Sequence, residues 1–162
     1  VDAVIRDARP DDWPRIWPFF RDIVAAGETY AYPEDLTSGQ AAELWLEPPP
    51  GRTVVAEADG RLLGSAKMGP NRPGRGSHIA TASFMVDSAY RGRGVGRALG
   101  EHVIGWARAA GYRGIQFNAV VETNPAVHLW RSLGFEVTGT VPGAFDHRTL
   151  GPVGLHVMYL PL

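Results

Sequence analysis

Apolar residues fall at helical spacing in some stretches of the chain and at strand spacing in others. Ile16, Phe19, Phe20, Ile23 and Val24 share one face of a helix. Asp11 or Asp12 can cap it, and Gly27 ends it. Pro14 suits its first turn, whereas Pro18 predicts a kink or a split. A short helix is predicted from Ser38 to Leu46, closed by Pro48-Pro49-Pro50-Gly51. Val95, Ala98, Leu99, Val103, Trp106, Ala107 and Ala110 give a third helix with one apolar face, stopped by Gly111. Residues 125–133 give a fourth, in which Ala126, Leu129, Trp130 and Leu133 face the core.

Strands are predicted at Val4–Ala8, Thr53–Ala58, Leu62–Met68, His78–Val86, Ile115–Val121, Phe135–Val141 and Leu155–Leu160. Asp59-Gly60 between the second and third tolerates the positive φ angles of a tight primed turn. Residues 69–77 and 142–152 read as loops. An antiparallel hairpin followed by strand–helix–strand–helix–strand indicates an α/β fold with a mixed sheet. The length suits a single domain, 1–162, without internal repeats.

Composition narrows the function. The chain is 44% hydrophobic and 20% charged with a formal net charge of −1, so no global field draws it to nucleic acid or an anionic membrane. Arginines cluster locally, at Arg72/Arg75 and at Arg91/Arg93/Arg97, which suits a small anionic ligand. Cysteine is absent, which excludes disulfides, thiolate metal sites and a cysteine nucleophile. No apolar run approaches a membrane span, and Val1 to Arg6 lack the pattern of a signal peptide. A cytoplasmic location is therefore expected. No His/Asp/Glu group has metal-ligand spacing, so no metal is expected.

The most informative stretch runs from Val86 to Leu99. A strand ends, and Gly92, Gly94 and Gly96 open a helix. Successive backbone N–H groups freed of neighbouring Cβ atoms can converge on one anion, and the helix N-terminus adds its unpaired donors. Arg91, Arg93 and Arg97 can add cations. A Walker ending of Gly-Lys-Ser/Thr is missing, and both dinucleotide registers fail at Arg97 and Leu99. A nucleotide-dependent oxidoreductase is thereby disfavoured. About thirty residues on, Asn124 is an N-cap candidate with Pro125 in the first helical position, and Gly134-Phe135 make a left-handed stop with its following apolar residue.

In this order and spacing, Arg91-Gly92-Arg93-Gly94-Val95-Gly96 and Asn124 through Leu129-Trp130-x-x-x-Gly134-Phe135 resemble the two motifs of the GCN5-related N-acetyltransferase family. The resemblance implies a mostly antiparallel central sheet with a splayed pair of parallel strands and flanking helices. It implies that the backbone of Phe84, Met85 and Val86 lies along the pantetheine arm of acetyl-CoA, the cosubstrate, and that the amides of Gly92 to Arg97 (Gly92, Arg93, Gly94, Val95, Gly96, Arg97) hold the pyrophosphate. Asn124 would touch the cofactor near its pantetheine end, although capping alone also accounts for it. The gap between strands 78–86 and 115–121 would admit the thioester. Phe117 to Val121 with Leu129-Trp130 is similar to a branch acting on small amino acids and their analogues, and Gly27 to Tyr30 is similar to the phosphinothricin-type enzymes.

Trp130 departs from the pattern, because many members have tyrosine there to protonate the departing thiolate. An indole N–H is a donor but a negligible acid. Water or the product ammonium must then supply that proton, to a thiolate whose conjugate acid has a pKa of about 8.5. Asn124 also lies one residue nearer Gly134 than is usual.

For the acceptor, His78 at the start of its strand is the first candidate base, since imidazole titrates near neutrality. A merely exposed strand-end histidine is the other reading. A strand amide such as that of Met85 or Val86 would suit the oxyanion. Thr81 and Asn118, polar positions in apolar strands, can orient substrate or water, or make structural hydrogen bonds. Glu28 can accept a proton or pair with a substrate ammonium, and Tyr30 beside it can wall the acceptor. Glu122, His128, His147 and His156 rank below these.

The function expected is transfer of an acetyl group to a small-molecule amine in a ternary complex. A lysine or N-terminal peptide acetyltransferase and a non-catalytic acyl-CoA sensor are the alternatives. The family resemblance also implies a homodimer, for which Trp45, Leu46 and the C-terminal strand offer apolar positions.

Overall fold

The computed structural model describes residues 2–162. In chain order the elements are β1 (Val4–Asp7), α1 (Trp13–Ala26), α2 (Ser38–Trp45), β2 (Arg52–Ala58), β3 (Arg61–Pro70), β4 (Ile79–Val86), α3 (Val95–Ala109), β5 (Gly114–Val121), α4 (Ala126–Ser132), β6 (Glu136–His147) and β7 (Gly151–Pro161). The strands form one seven-stranded sheet in the order β1-β2-β3-β4-β5-β7-β6. Every neighbouring pair is antiparallel except β4 and β5.

Helices cover both faces. On one face α1 and α2 bury Ile16, Phe20 and Trp45 against Val55, Leu62 and Met85. On the other, α3 and α4 bury Leu99, Val103 and Trp130 against Ala66, Ile115 and Phe117. The β2–β3 hairpin turns through Asp59 at φ 52 and Gly60 at φ 73, with Ala58 opposite Arg61. That is the two-residue primed turn the sequence predicts.

Four sequence expectations need correction. Pro18 neither splits nor ends α1. It lies on the solvent face and removes a single backbone donor, while Trp13, Ile16, Phe19, Phe20 and Val24 are buried on the other side. Residues 142–152 are mostly not a loop: β6 and β7 run as a long hairpin to His147 and Gly151, with register shifts that absorb Pro142 to Ala144. The 69–77 segment is likewise shorter, because β3 extends to Pro70, the Asn71 N–H donates to the Ile79 carbonyl at 2.7 Å, and Gly74–Gly76 forms one 3₁₀ turn. Trp45, offered above as a contact for a second copy, is fully buried. Its indole N–H donates to Ser65 Oγ at 2.9 Å.

One charged group anchors β1 and β2 to the start of α1. Asp12 is 1% exposed and takes both guanidinium nitrogens of Arg6, at 2.8 and 2.9 Å, and the Arg9 N–H at 2.7 Å. Arg6 reaches on to Glu57 of β2 at 3.1 Å. The Arg6 hydrogen bonds, aided by the Arg9 amide, hold the Asp12 carboxyl well below the usual range against the opposing effect of burial. Asp12→Ala leaves Arg6 without its buried partner and is expected to cost about 3 kcal/mol in urea unfolding at pH 7. The depressed pKa makes this contribution complete above the unfolded value of about 3.9 and lost as the pH falls below it. A loss under about 1 kcal/mol would mean that the pair behaves as a surface ion pair.

Candidate active site

The site begins where the two parallel strands stop pairing. β4 and β5 are in register only at Ile79↔Gly114 and Ala80↔Ile115. Beyond that point β5 follows β7, with a register shift between Phe117 and Val120, and β4 follows β3. Trp130 of α4 packs between the diverging strands, 4.5 Å from the Phe84 ring and 5.1 Å from the Phe117 ring. A cavity of about 700 Å³ runs through the resulting gap.

Strand geometry decides which backbone groups face this gap. The Asp87 N–H donates to Leu63 of β3 and the Ile79 carbonyl accepts from Asn71, so odd-numbered residues of β4 point toward β3. The His78 carbonyl accepts from Arg113 on the β5 side. By alternation Ala82, Phe84 and Val86 turn their N–H and C=O groups into the gap. Met85 does not: its backbone belongs to the ladder opposite Ser65, and its side chain is buried under α1 and α2. Of the three residues named for a backbone cofactor contact, Phe84 and Val86 therefore have suitable backbone direction and Met85 does not.

On the α3–α4 face the cavity is bounded by Val86, Arg91, Gly96, Asn124, Leu129 and Trp130. Gly92 and Gly94 both have φ 77, a region costly for any residue with a Cβ. Gly94 caps α3, and the first helical bond is Ala98 N–H to the Gly94 carbonyl at 3.0 Å. The N–H groups of Val95, Gly96 and Arg97 are thus left without helical acceptors at the positive end of the helix dipole. Arg91 lines the cavity. Arg93 lies over the Tyr90 ring, and Arg97 donates to Ser132 Oγ at 2.7 Å while facing Glu101. The Asn124 carboxamide oxygen accepts from the Ala126 N–H at 2.9 Å, so it caps α4 and still borders the cavity. Gly134 at φ 103 ends that helix, with the Phe135 N–H returning to Trp130 at 3.0 Å.

On the α1–α2 face the walls are Ile23, Glu28, Tyr30, Tyr32, Phe145 and Leu155. Thr81 and Asn118 line the passage between the two sides. Asn118 is already engaged, donating to Asn71 Oδ1 at 2.7 Å and accepting from Gln116 at 3.0 Å. The Tyr30 hydroxyl contacts both backbone groups of Phe84. His78 is exposed and does not border the cavity, since it lies at the paired end of β4 and the strands open at the other end.

A different histidine comes close. His147, 7% exposed, accepts at Nδ1 from the Thr149 and Leu150 amides, both at 3.2 Å. That assigns the proton of the neutral ring to Nε2, which lies 4.0 Å from the Glu28 carboxylate. The β6–β7 turn is docked there by the Arg148 N–H on the Gly27 carbonyl at 2.9 Å and by the Arg148–Glu34 ion pair. Only tertiary folding joins His147 to Glu28, so no local sequence signal distinguishes it from His128, which is exposed, or His156, which pairs with Thr140.

A glycine-opened helix start with free amides, a splayed parallel pair and a cavity between the strands fit an acyltransferase fold. Comparison with known proteins agrees: residues 10–135 match the model of the Acetyltransferase (GNAT) family, and the chain belongs to that family. A GCN5-related N-acetyltransferase from Kribbella flavida has the same structure, with TM-score 0.96, 63% identity, and coverage of 99% of this chain and 98% of that one. The L-methionine sulfoximine/L-methionine sulfone acetyltransferase of Pseudomonas aeruginosa is 34% identical over 152 residues, 88% of this chain and 85% of that protein. N-acetyltransferase aca1 of Schizosaccharomyces pombe is 37% identical over 84 residues, 51% of this chain, and the chain spans 40% of that protein's length. Structures of this fold include complexes with acetyl-CoA.

Trp130 depends on the absence of a side chain opposite it. A Cβ at Gly100 of α3 would meet Trp130 Cζ3 at 2.8 Å and Leu133 Cδ1 at 3.0 Å. Gly100→Ala is expected to cost about 1–3 kcal/mol in urea unfolding, despite the better helix propensity of alanine. An unchanged or raised stability would mean that α4 is not held at this distance.

Proposed function

We propose that this protein transfers the acetyl group of acetyl-CoA to the amine of a small molecule by direct attack within a ternary complex. The observation that carries this reading is a single cavity reached from a phosphate-binding helix start on one face of the sheet and from an acidic, aromatic chamber on the other. The amides of Gly92 to Arg97 and the Arg91 side chain would hold the pyrophosphate. The backbone of Phe84 and Val86 would meet the pantetheine arm, with Asn124 beside it. Donor and acceptor meet between β4 and β5, so no covalent enzyme intermediate is required and the absence of cysteine is no obstacle.

The amine must lose a proton to attack. Glu28 is the carboxylate on the acceptor side of the cavity, and His147 Nε2–H faces it, so Glu28 receives the substrate ammonium or its proton and His147 orients the carboxylate. Thr81 and Asn118 border the path a water would take between them. Trp130 excludes water from the acyl side but supplies no acid. The departing thiolate takes its proton from water or the product ammonium. Amino acids and their analogues are the favoured acceptors, supported by the methionine sulfoximine enzyme and by the L-amino acid N-acetyltransferase AaaT of Escherichia coli, 30% identical over 153 residues.

Release of free thiol from acetyl-CoA in the presence of amino acids, imino acids, phosphinothricin-like compounds, polyamines and a lysine peptide tests the reading directly. The chain contributes no thiol of its own to the assay. Turnover is expected on a small amine, and Glu28→Gln is expected to lower kcat/KM by about 10²-fold. Turnover on the peptide alone would move the protein to the peptide class. Acetyl-CoA binding without turnover on any amine would make it a sensor.

A further inference from the structure

Three residues of β4 turn their backbone into the gap, and one side chain already occupies the middle one. The Tyr30 hydroxyl accepts from the Phe84 N–H at 2.8 Å and donates to the Phe84 carbonyl at 2.5 Å. One phenol oxygen thus satisfies both groups that a neighbouring strand would otherwise have paired. Tyr30 arrives from the irregular segment after α1, stacked on Tyr32 with ring centroids 5.7 Å apart and planes 10° apart. The N···O distance lies within the 2.7–3.1 Å that a fixed donor needs toward a reacting carbonyl oxygen. Burial pushes the phenol well above its ordinary pKa, so it stays a neutral O–H and serves as neither base nor anion.

We propose that Tyr30 holds the place of the acyl oxygen: its hydroxyl occupies the Phe84 amide until a thioester carbonyl takes that amide, so acyl binding and displacement of the Tyr30 segment are one event. This rests on the reading that acetyl-CoA enters the gap between β4 and β5. Two oxygens cannot both sit on one N–H at full strength, so each acyl group that binds must break the Tyr30 bond. Tyr30 and Tyr32 also wall the amine side of the cavity. The arrival of the acyl group therefore reshapes the acceptor chamber. Tyr30 acts here as a positioning residue that registers whether the bound CoA carries a carbonyl.

The test is a binding cycle by calorimetry, with acetyl-CoA and S-ethyl-CoA (a thioether lacking the carbonyl oxygen) on the wild type and on Tyr30→Phe. In the wild type the two ligands are expected to bind within about twofold of each other, because the carbonyl's hydrogen bond replaces one that is lost. In Tyr30→Phe the amide is vacant, and acetyl-CoA is expected to bind about fivefold tighter than S-ethyl-CoA, the worth of one net hydrogen bond. The same preference in both proteins would overturn the proposal. If Tyr30→Phe fails to fold, the Phe84 amide resonance of the wild type answers instead. Acetyl-CoA should shift it and S-ethyl-CoA should leave it, whereas equal shifts would overturn the proposal. Failure of both ligands to bind the wild type would overturn the reading of the gap as well.

Discussion

Trp130 sits with its indole against Phe84 on one side and Phe117 on the other, at the place where β4 and β5 part. Two parallel strands left to themselves would continue their ladder, because unpaired N–H and C=O groups are costly when buried. Here they pair at two positions and then diverge, with aromatic rings filling the space on one face and the cavity taking the rest. The backbone groups of Ala82 and Val86 are thereby turned toward whatever enters, while those of Phe84 are held by Tyr30. A ligand with its own amides and carbonyls, such as a pantetheine arm, meets a strand edge that only lacks a partner. On the proposed reading, the place where the sheet is least satisfied is also the place where it binds.

The two faces of the sheet divide the chemistry. On one, the free amides at the start of α3 suit an anion, and Gly92 and Gly94 supply the left-handed turns that aim them. On the other, the walls are apolar and aromatic with Glu28 among them, backed by a histidine whose tautomer is set by two backbone donors. A carboxylate suits the cationic form of an amine and its proton. Because the cavity crosses the sheet, the proposed donor and acceptor would approach from opposite sides without competing for one entrance.

Features governed by local chemistry were legible in the sequence. The Asp59-Gly60 turn, the left-handed stops at Gly27, Gly111 and Gly134, and the glycine-opened helix at 94–96 all lie where the residues predict. The mixed sheet and its parallel pair were also legible, through the order of elements and the resemblance of two motifs. Features set by packing were not. Pro18 stays helical because five buried side chains outweigh one missing bond. Residues 145–147 are strand because β7 pairs with them, while a register shift absorbs Pro142 to Ala144. Which of Phe84, Met85 and Val86 faces the gap depends on register with β3, and a one-residue slip would reverse the answer. His78 could be assigned to a strand end but not to the paired rather than the open end. The contacts of Tyr30 with Phe84 and of His147 with Glu28 join residues distant in sequence, for which one chain offers no local sign.

Residue-resolved amide hydrogen exchange, measured by NMR with and without acetyl-CoA, tests most directly the claim that the open edge of β4 and the start of α3 form one binding surface. The account predicts that the amides of Val86 and of Gly94 to Arg97 slow by tenfold or more when acetyl-CoA is added. Met85, already bonded within the sheet, should keep its rate. Slowing at the α3 amides with no change at Val86 would contradict the account, because the cofactor would then hold the helix start without entering the gap.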